Sequence, residues 1–166
     1  LRQGEREIMT AVYEPIGVDL SQVDATPKFK LGTEARGDGI NRWVYVEAAE
    51  NIDQYDAVAI DEDGVASQLT STEAEDAWKI GAALNDMTAG QFGWVQVRGK
   101  GIVNVVGVTA DTVLSTSATA GALDDLTTGA VRIQGIVALE ANTLTTKTAV
   151  ECFMAIEPFA ELPALD

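Results

Sequence analysis

Histidine is absent from this chain, and its absence limits the chemistry that the sequence could perform. The chain has no His and one cysteine, with 26 Asp and Glu residues against 11 Lys and Arg. Histidine is the most common general base and metal ligand, so catalysis would depend on Ser–Lys or Thr–Lys pairs or on paired carboxylates. No such pair stands out by its spacing. We therefore predict that the chain is not an enzyme, and a hydrolase using carboxylates alone is the weakest alternative.

Phosphate and membrane binding are disfavoured by charge and by motif. The formal net charge is -15, which repels nucleic acid and anionic lipid. Gly90, Gly93, Gly99 and Gly101 have neither P-loop nor dinucleotide-binding spacing. No apolar run approaches the roughly 18 residues of a membrane span, and the N-terminal residues lack the apolar region of a signal peptide. We expect a soluble protein that binds neither nucleic acid nor membranes.

Three short features have a chemical and a structural interpretation. Cys152 lies in the apolar run Val150–Ile156, where we expect a buried thiol rather than a reactive one. Asp61–Gly64 could supply calcium ligands, but Asp-Gly between two apolar runs favours a hairpin turn. Arg36–Asp38 spells a cell-adhesion tripeptide, and the neighbouring glycines favour a plain turn. The structural interpretation is favoured in each case.

Aromatic residues leave two possibilities open. Trp43, Trp78 and Trp94 could form a platform for a sugar, or they could pack in a core or a subunit interface. Packing is favoured. The alternation in Arg42–Glu47 places Trp43 and Tyr45 on one face of a strand.

The longest β-rich stretch, Gly90–Val106, is the centre of the predicted fold. Two runs of β-branched and aromatic residues flank Gly99-Lys100-Gly101, which either bends one strand or closes a hairpin. Thr70–Ala77 is an exposed loop or a single capped helical turn. Ala130–Glu140 is the longest single strand candidate, and Pro158 and Pro163 are expected to end regular pairing.

These elements predict an all-β fold. About eight to ten short strands with no long amphipathic helix are typical of a compact barrel or sandwich, and no exact solenoid repeat is visible. Residues 1–30 mix charges, prolines and short apolar patches, which indicates an extended N-terminal arm, free or docked. Residues 31–157 form the β domain, and residues 158–166 form a C-terminal tail.

The order of motifs along the chain resembles that of a known family. The motifs are Lys30–Thr33, Gly37–Ala48, Asp56–Ile60, Ile80–Ala83, Gly90–Gly99, Ser115–Leu123 and Ile133–Ile136. Over about residues 28 to 157 the chain resembles tailed-bacteriophage capsid decoration proteins, also called cement or head-stabilising proteins.

The resemblance implies a structural protein of the virion. It implies a β domain that binds the outer surface of the phage head as a homotrimer, clamps neighbouring major capsid subunits after expansion, and needs no cofactor. The N-terminal arm would reach the shell or an adjacent subunit. A carbohydrate- or receptor-binding module, such as the base of a head fibre, is the alternative. Residues that we expect at subunit or shell contacts are Tyr13, Ile16, Val18, Phe92, Trp94 and Arg98.

Overall fold

Ten strands and one short helix make up the described part of the chain. A computed structural model describes residues 17–125 and 130–161, so that residues 1–16, 126–129 and 162–166 lie outside the described residues. The elements are β1 Glu34–Arg36, β2 Arg42–Ala48, β3 Ala57–Ile60, β4 Val65–Gln68, α1 Ser71–Asp76, β5 Lys79–Ala83, β6 Phe92–Val105, β7 Val113–Thr116, β8 Leu123–Asp125, β9 Arg132–Ala138 and β10 Thr148–Glu161. The predicted all-β fold and strand number are confirmed.

The first half of the chain closes a five-stranded barrel, here called ring 1. Strand β2 pairs in parallel with β4, β4 with β3, β3 with β5, β5 with the first half of β6, and β6 with β2 again. The side chains inside are small and β-branched, among them Val44, Val58 and Val95. Such residues fill a narrow barrel, and closure leaves few free strand edges.

The second half of the chain repeats the same arrangement, here called ring 2. The second half of β6 pairs in parallel with β8, β8 with β7, β7 with β9, β9 with β10, and β10 with β6. The order of the strands around the ring and the direction of each pairing match those of ring 1. The isolated bridge between Ile52 and Met87 also recurs, between Val108 and Asn142. The chain therefore contains an internal duplication, of a kind that a search for solenoid repeats does not reveal.

Strand β6 belongs to both rings. It runs for 14 residues, and its pairing with β2 shifts register between Gln96 and Arg98. Gly99 follows with φ of 103°, a conformation that favours glycine, and a Cβ atom there would clash with the Asn41 side chain. The bend predicted at Gly99-Lys100-Gly101 is present, whereas the alternative of a hairpin at this point is wrong.

Each ring has its own apolar interior, and the ring 2 cluster extends onto β3 and β5 of ring 1. The largest buried cluster combines the interior of ring 2, including Leu114 and Ile133, with Ala57, Ala59 and Ile80 of ring 1. Cys152 is fully buried in this cluster, as expected. Desolvation raises the pKa of its thiol to about 12, which leaves the thiol protonated and unreactive at neutral pH.

The chain before β2 lies over an aromatic face of ring 1. Tyr45 and Trp94 pair across β2 and β6, and the Phe29 ring lies 5.2 Å from Tyr45 and 5.5 Å from Trp94 between centroids. Leu20 is buried in the same cluster, and Asp24 forms a bridge with Phe92. The described part of the expected arm, residues 17–30, is therefore docked on its own domain.

Local predictions are confirmed at three points. Strands β3 and β4 form the hairpin around Asp61, whose carboxylate accepts from Val65 N at 2.8 Å. Asn41 N donates to Asp38 O, which confirms a turn at residues 38–41, whereas Arg36 ends strand β1. The capped turn at Thr70 is α1, in which Thr70 Oγ1 accepts from Glu73 N.

Two predictions about strand length were wrong. Strand β10 continues past Pro158, because Phe159, Ala160 and Glu161 pair with β9 after a register shift. A bulge accommodates a proline within a strand. The longest strands are β6 and β10, with 14 residues each, and not the stretch that contains β9.

Across residues 17–125 and 130–161, the one helix is α1, with six residues. No helix in that part of the chain has the length and apolar character needed to cross a membrane.

Trp94→Ala should strongly destabilise the fold. Trp94 is 2 % exposed and contacts the rings of Phe29 and Tyr45, and truncating a buried Trp costs about 3–5 kcal/mol. The free energy of unfolding in urea, followed by circular dichroism, measures the loss.

Trp78→Ala is the matched control for Trp94→Ala. Trp78 is 53 % exposed, and the Lys79 ammonium lies 4.4 Å from its ring centroid. We expect a loss of about 1 kcal/mol or less for this variant. Equal losses for the two variants would contradict the placement of Trp94.

Candidate interaction surface

The duplication allows the outer faces of the two rings to be compared residue by residue. In ring 1, Tyr45 pairs with Trp94, whose carbonyl accepts from Leu84 N. In ring 2, Ile102 pairs with Glu151, whose carbonyl accepts from Leu139 N. These two rows occupy the same position on their respective barrels.

Ring 1 has a covered outer face. Tyr45 is fully buried and Trp94 nearly so. Val18, Leu20 and Leu31 pack in the same cluster. Apolar area on this face is therefore removed from water by residues of the same chain.

Within the described part of the chain, no segment buries the outer face of ring 2, here called the ring 2 face, as residues 18–31 bury that of ring 1. Ile102 is 40 % exposed, and Leu139 and Phe153 are each 36 % exposed. Phe153 pairs with Lys100 on one side and Val137 on the other, which places it beside the Ile102 row. Grouped apolar side chains on a sheet surface are typical of an interaction site.

The charges on the ring 2 face neutralise each other. Lys100 Nζ lies 2.7 Å from Glu151 Oε1, and both side chains are substantially exposed. An exposed pair of this kind adds little stability. It leaves the face locally neutral on a strongly acidic protein, which favours contact with an apolar partner surface.

A cavity of about 590 Å³ borders the ring 2 face. Its walls come from both rings and from the segment that covers ring 1. The lining includes Leu20, Trp43, Tyr55, Gln96, Ile102 and Glu151. Its volume lies within the range of ligand sites, and the amide of Gln96 is fixed by donating Nε2 to Arg98 O and Lys100 O.

A buried polar cluster joins the two rings. Asp56 is fully buried, and its carboxylate accepts from Asn104 Nδ2 at 2.8 Å and Gln68 Nε2 at 2.7 Å. Lys147, in the loop before β10, lies 2.6 Å from Asp56 Oδ1. Because Asp56 precedes β3 in ring 1 and Lys147 belongs to ring 2, this ion pair fixes one ring against the other.

The ion pair raises the pKa of Lys147 by more than burial lowers it. Desolvation alone would lower its pKa, but the hydrogen bonds and negative charges of Asp56 and Asp53 raise the pKa above the ordinary lysine value. A lysine pKa that is raised by folding stabilises the fold below the unfolded pKa, and this contribution disappears as pH rises through the folded pKa.

The structure places the predicted contact residues in different environments. Phe92 and Trp94 are buried under the same chain, and Val18 packs against them partly buried. Arg98 is half-buried near the bend of β6, with Nε lacking a hydrogen-bond partner among the described residues. Tyr13 and Ile16 lie outside the described residues.

Sequence reasoning missed the ring 2 face. Ile102, Leu139 and Phe153 belong to three different strand candidates, and each alone is an ordinary exposed apolar residue. Only an alignment of the two halves would have shown that Ile102 corresponds to the buried Tyr45.

The structure and the comparisons add no catalytic assignment. Within residues 17–125 and 130–161, no group of three or more Asp, Glu or Cys side chains is placed to hold a metal ion. No protein-family model matches the chain, and no curated protein matches it. That the chain is not an enzyme stays a prediction.

Lys147→Met should destabilise the protein by about 3 kcal/mol, because it leaves the buried carboxylate of Asp56 without its cation. Urea unfolding at pH 7 measures the loss. The difference from the unmodified chain should persist up to the ordinary lysine pKa of 10.5 and should shrink at higher pH.

Lys100→Met is the control for this pH series. Its pair with Glu151 is exposed, so the expected loss is about 1 kcal/mol or less. A Lys147→Met loss that stays constant through pH 12 would show that the ion pair is not its cause.

Proposed function

We propose that this chain is a structural virion protein that binds the outer surface of a tailed-phage head. In this proposal it acts as a homotrimer, contacts neighbouring major capsid subunits, and stabilises the expanded shell without catalysis. The resemblance of its motifs to capsid decoration proteins supports the choice of partner. The ring 2 face supports the mode of action.

The observation that carries the proposal is the difference between the two outer faces. The same row of the duplicated fold is covered by the chain itself in ring 1, whereas in ring 2 its apolar side chains are partly exposed among the described residues. A bare apolar face on a soluble domain is stabilised by a partner that removes it from water. Phe153 and Leu139 are the residues that we assign to this contact.

The net charge of the chain and the large number of binding sites on a shell are consistent with a role in capsid decoration. A net charge of -15 keeps free copies in solution and away from DNA. Each copy that binds only the assembled shell stabilises it by mass action, so weak contacts repeated over many sites add up.

The carbohydrate-binding alternative receives less support. Trp43 and Trp94 are buried, which removes two of the three tryptophans from any sugar platform. Trp78 is exposed, but the neighbouring Lys79 ammonium occupies one side of its ring.

Co-sedimentation with expanded phage heads that lack their decoration layer tests the proposal. We expect saturable binding, near the number of threefold positions, by a protein whose solution mass by light scattering is that of a trimer. Phe153→Asp should weaken binding at least about tenfold, because it places a charge in the apolar contact.

Leu144→Asp is the matched control. Leu144 is also exposed, but it lies in the loop between β9 and β10, outside the ring 2 face. The Leu144→Asp variant should bind the shells as the unmodified protein does. A folded protein that does not co-sediment with the shells would contradict the proposal. Equal losses of binding for the two variants would contradict the assignment of the contact to the ring 2 face.

A further inference from the structure

The side-chain amides in the wall of the cavity are all held in the same sense. Each donates its NH₂ group to a backbone carbonyl. The pairs are Asn41 Nδ2 with Asp38 O at 3.0 Å, Gln54 Nε2 with Leu84 O at 2.9 Å, Asn85 Nδ2 with Leu20 O at 2.9 Å, and Gln96 Nε2 with Lys100 O at 3.1 Å. Because a carbonyl can only accept, each amide must direct its nitrogen toward that partner and its oxygen elsewhere.

The oxygens of these amides are unused acceptors. Among the described residues, none of the four side-chain oxygens receives a donor. Two of the amides are more than nine-tenths buried, since Gln96 is 5 % exposed and Asn41 is 7 % exposed. A buried acceptor without a donor costs free energy, so a ligand that brings donors is favoured at this wall.

The wall has few donors to offer in return. The Ser21 hydroxyl donates to Asp19 Oδ1 at 2.6 Å, and the Lys100 ammonium at the rim is paired with Glu151. The ring of Trp43 and the side chain of Ile102 give the wall an aromatic and an aliphatic part. The cavity therefore suits a group that is rich in N–H donors and is carried on an apolar stem.

A guanidinium group matches this description. It has five donors in one plane and no acceptor, so it can reach oxygens that come from different loops and strands. Its flat face packs on aromatic rings, and its stem is apolar. The net charge of -15 attracts a cation. A sugar hydroxyl, by contrast, brings acceptors together with its donors.

We propose that the cavity receives an arginine side chain from the partner that covers the ring 2 face. Ile102 and Glu151 belong both to that face and to the cavity wall. A partner seated on Phe153 and Leu139 can therefore extend a side chain into the cavity, and the two contacts reinforce each other. With a phage head as the partner, this inference rests on the proposed function and names the residue type that the shell presents.

A titration of the full chain with N-acetyl-arginine N-methylamide, followed by NMR, tests the cavity by itself. We expect saturable shifts of the side-chain N–H signals of Gln96 and Trp43. N-acetyl-citrulline N-methylamide, which carries a neutral urea on the same stem, should bind at least about tenfold more weakly. Equal binding of the two compounds, or no saturable shift with the arginine compound, would overturn the proposal.

Gln54→Met removes one of the amide oxygens. Gln54 is exposed, so the variant should fold, and the loss of one hydrogen bond should weaken binding of the arginine compound at least about threefold. Gln91→Met is the matched control, because Gln91 Oε1 already accepts from Thr88 N at 2.7 Å and lies outside the cavity. Equal affinities of the two variants would contradict the assignment of the amide oxygens.

Co-sedimentation with expanded phage heads separates this inference from the proposed function. Gln54→Met should weaken binding to the heads at least about threefold, and Gln91→Met should not. Heads that bind the Gln54→Met variant as well as the unmodified protein would overturn the inference and leave the proposed function intact. Binding of the arginine compound without any binding to heads would contradict the proposed function and support an arginine site for a different protein partner.

Discussion

Backbone pairing along β6 is the constraint on which the rest of the structure depends. Its first half closes ring 1 by pairing with β2 and β5, and its second half closes ring 2 by pairing with β8 and β10. One continuous strand cannot serve two barrels without changing direction. The register shift before Arg98 and the positive φ at Gly99 supply that change.

The two rings are held at a fixed orientation by small residues and by a buried charge. Gly121 of ring 2 accepts from Ala57 N of ring 1 and donates to Leu69 O, and a Cβ atom at Gly121 would come within 2.6 Å of the Asp56 carboxylate. Asp56 in turn binds Asn104 and Lys147 of ring 2. Buried charge of this kind is stable only when fully paired, and here the pairing crosses the boundary between the rings.

The duplication separates what the fold requires from what is particular to one half. Tyr55 has φ of 68° and Asp111, at the same place in ring 2, has φ of 61°. This strained backbone belongs to the repeated architecture, so it is not evidence of a functional site. The outer faces differ instead. The aromatic row of ring 1 lies under its cover, whereas the corresponding row of ring 2, formed by Ile102, Glu151 and Leu139, is partly exposed. That difference is the basis of the proposed contact with a partner.

The sequence by itself determined the all-β class, the hairpin at Asp63-Gly64, the capped turn at Thr70 and the buried thiol of Cys152, because each depends on local conformation or on a short apolar pattern. It did not determine that Phe92 and Trp94 lie under the N-terminal segment, that β10 continues past Pro158, or that Ile102 is exposed on the ring 2 face. Those features depend on which distant strands meet. The two halves share pairing geometry but few residues, so the duplication, and with it the candidate surface, became visible only when ring closure brought the strands together.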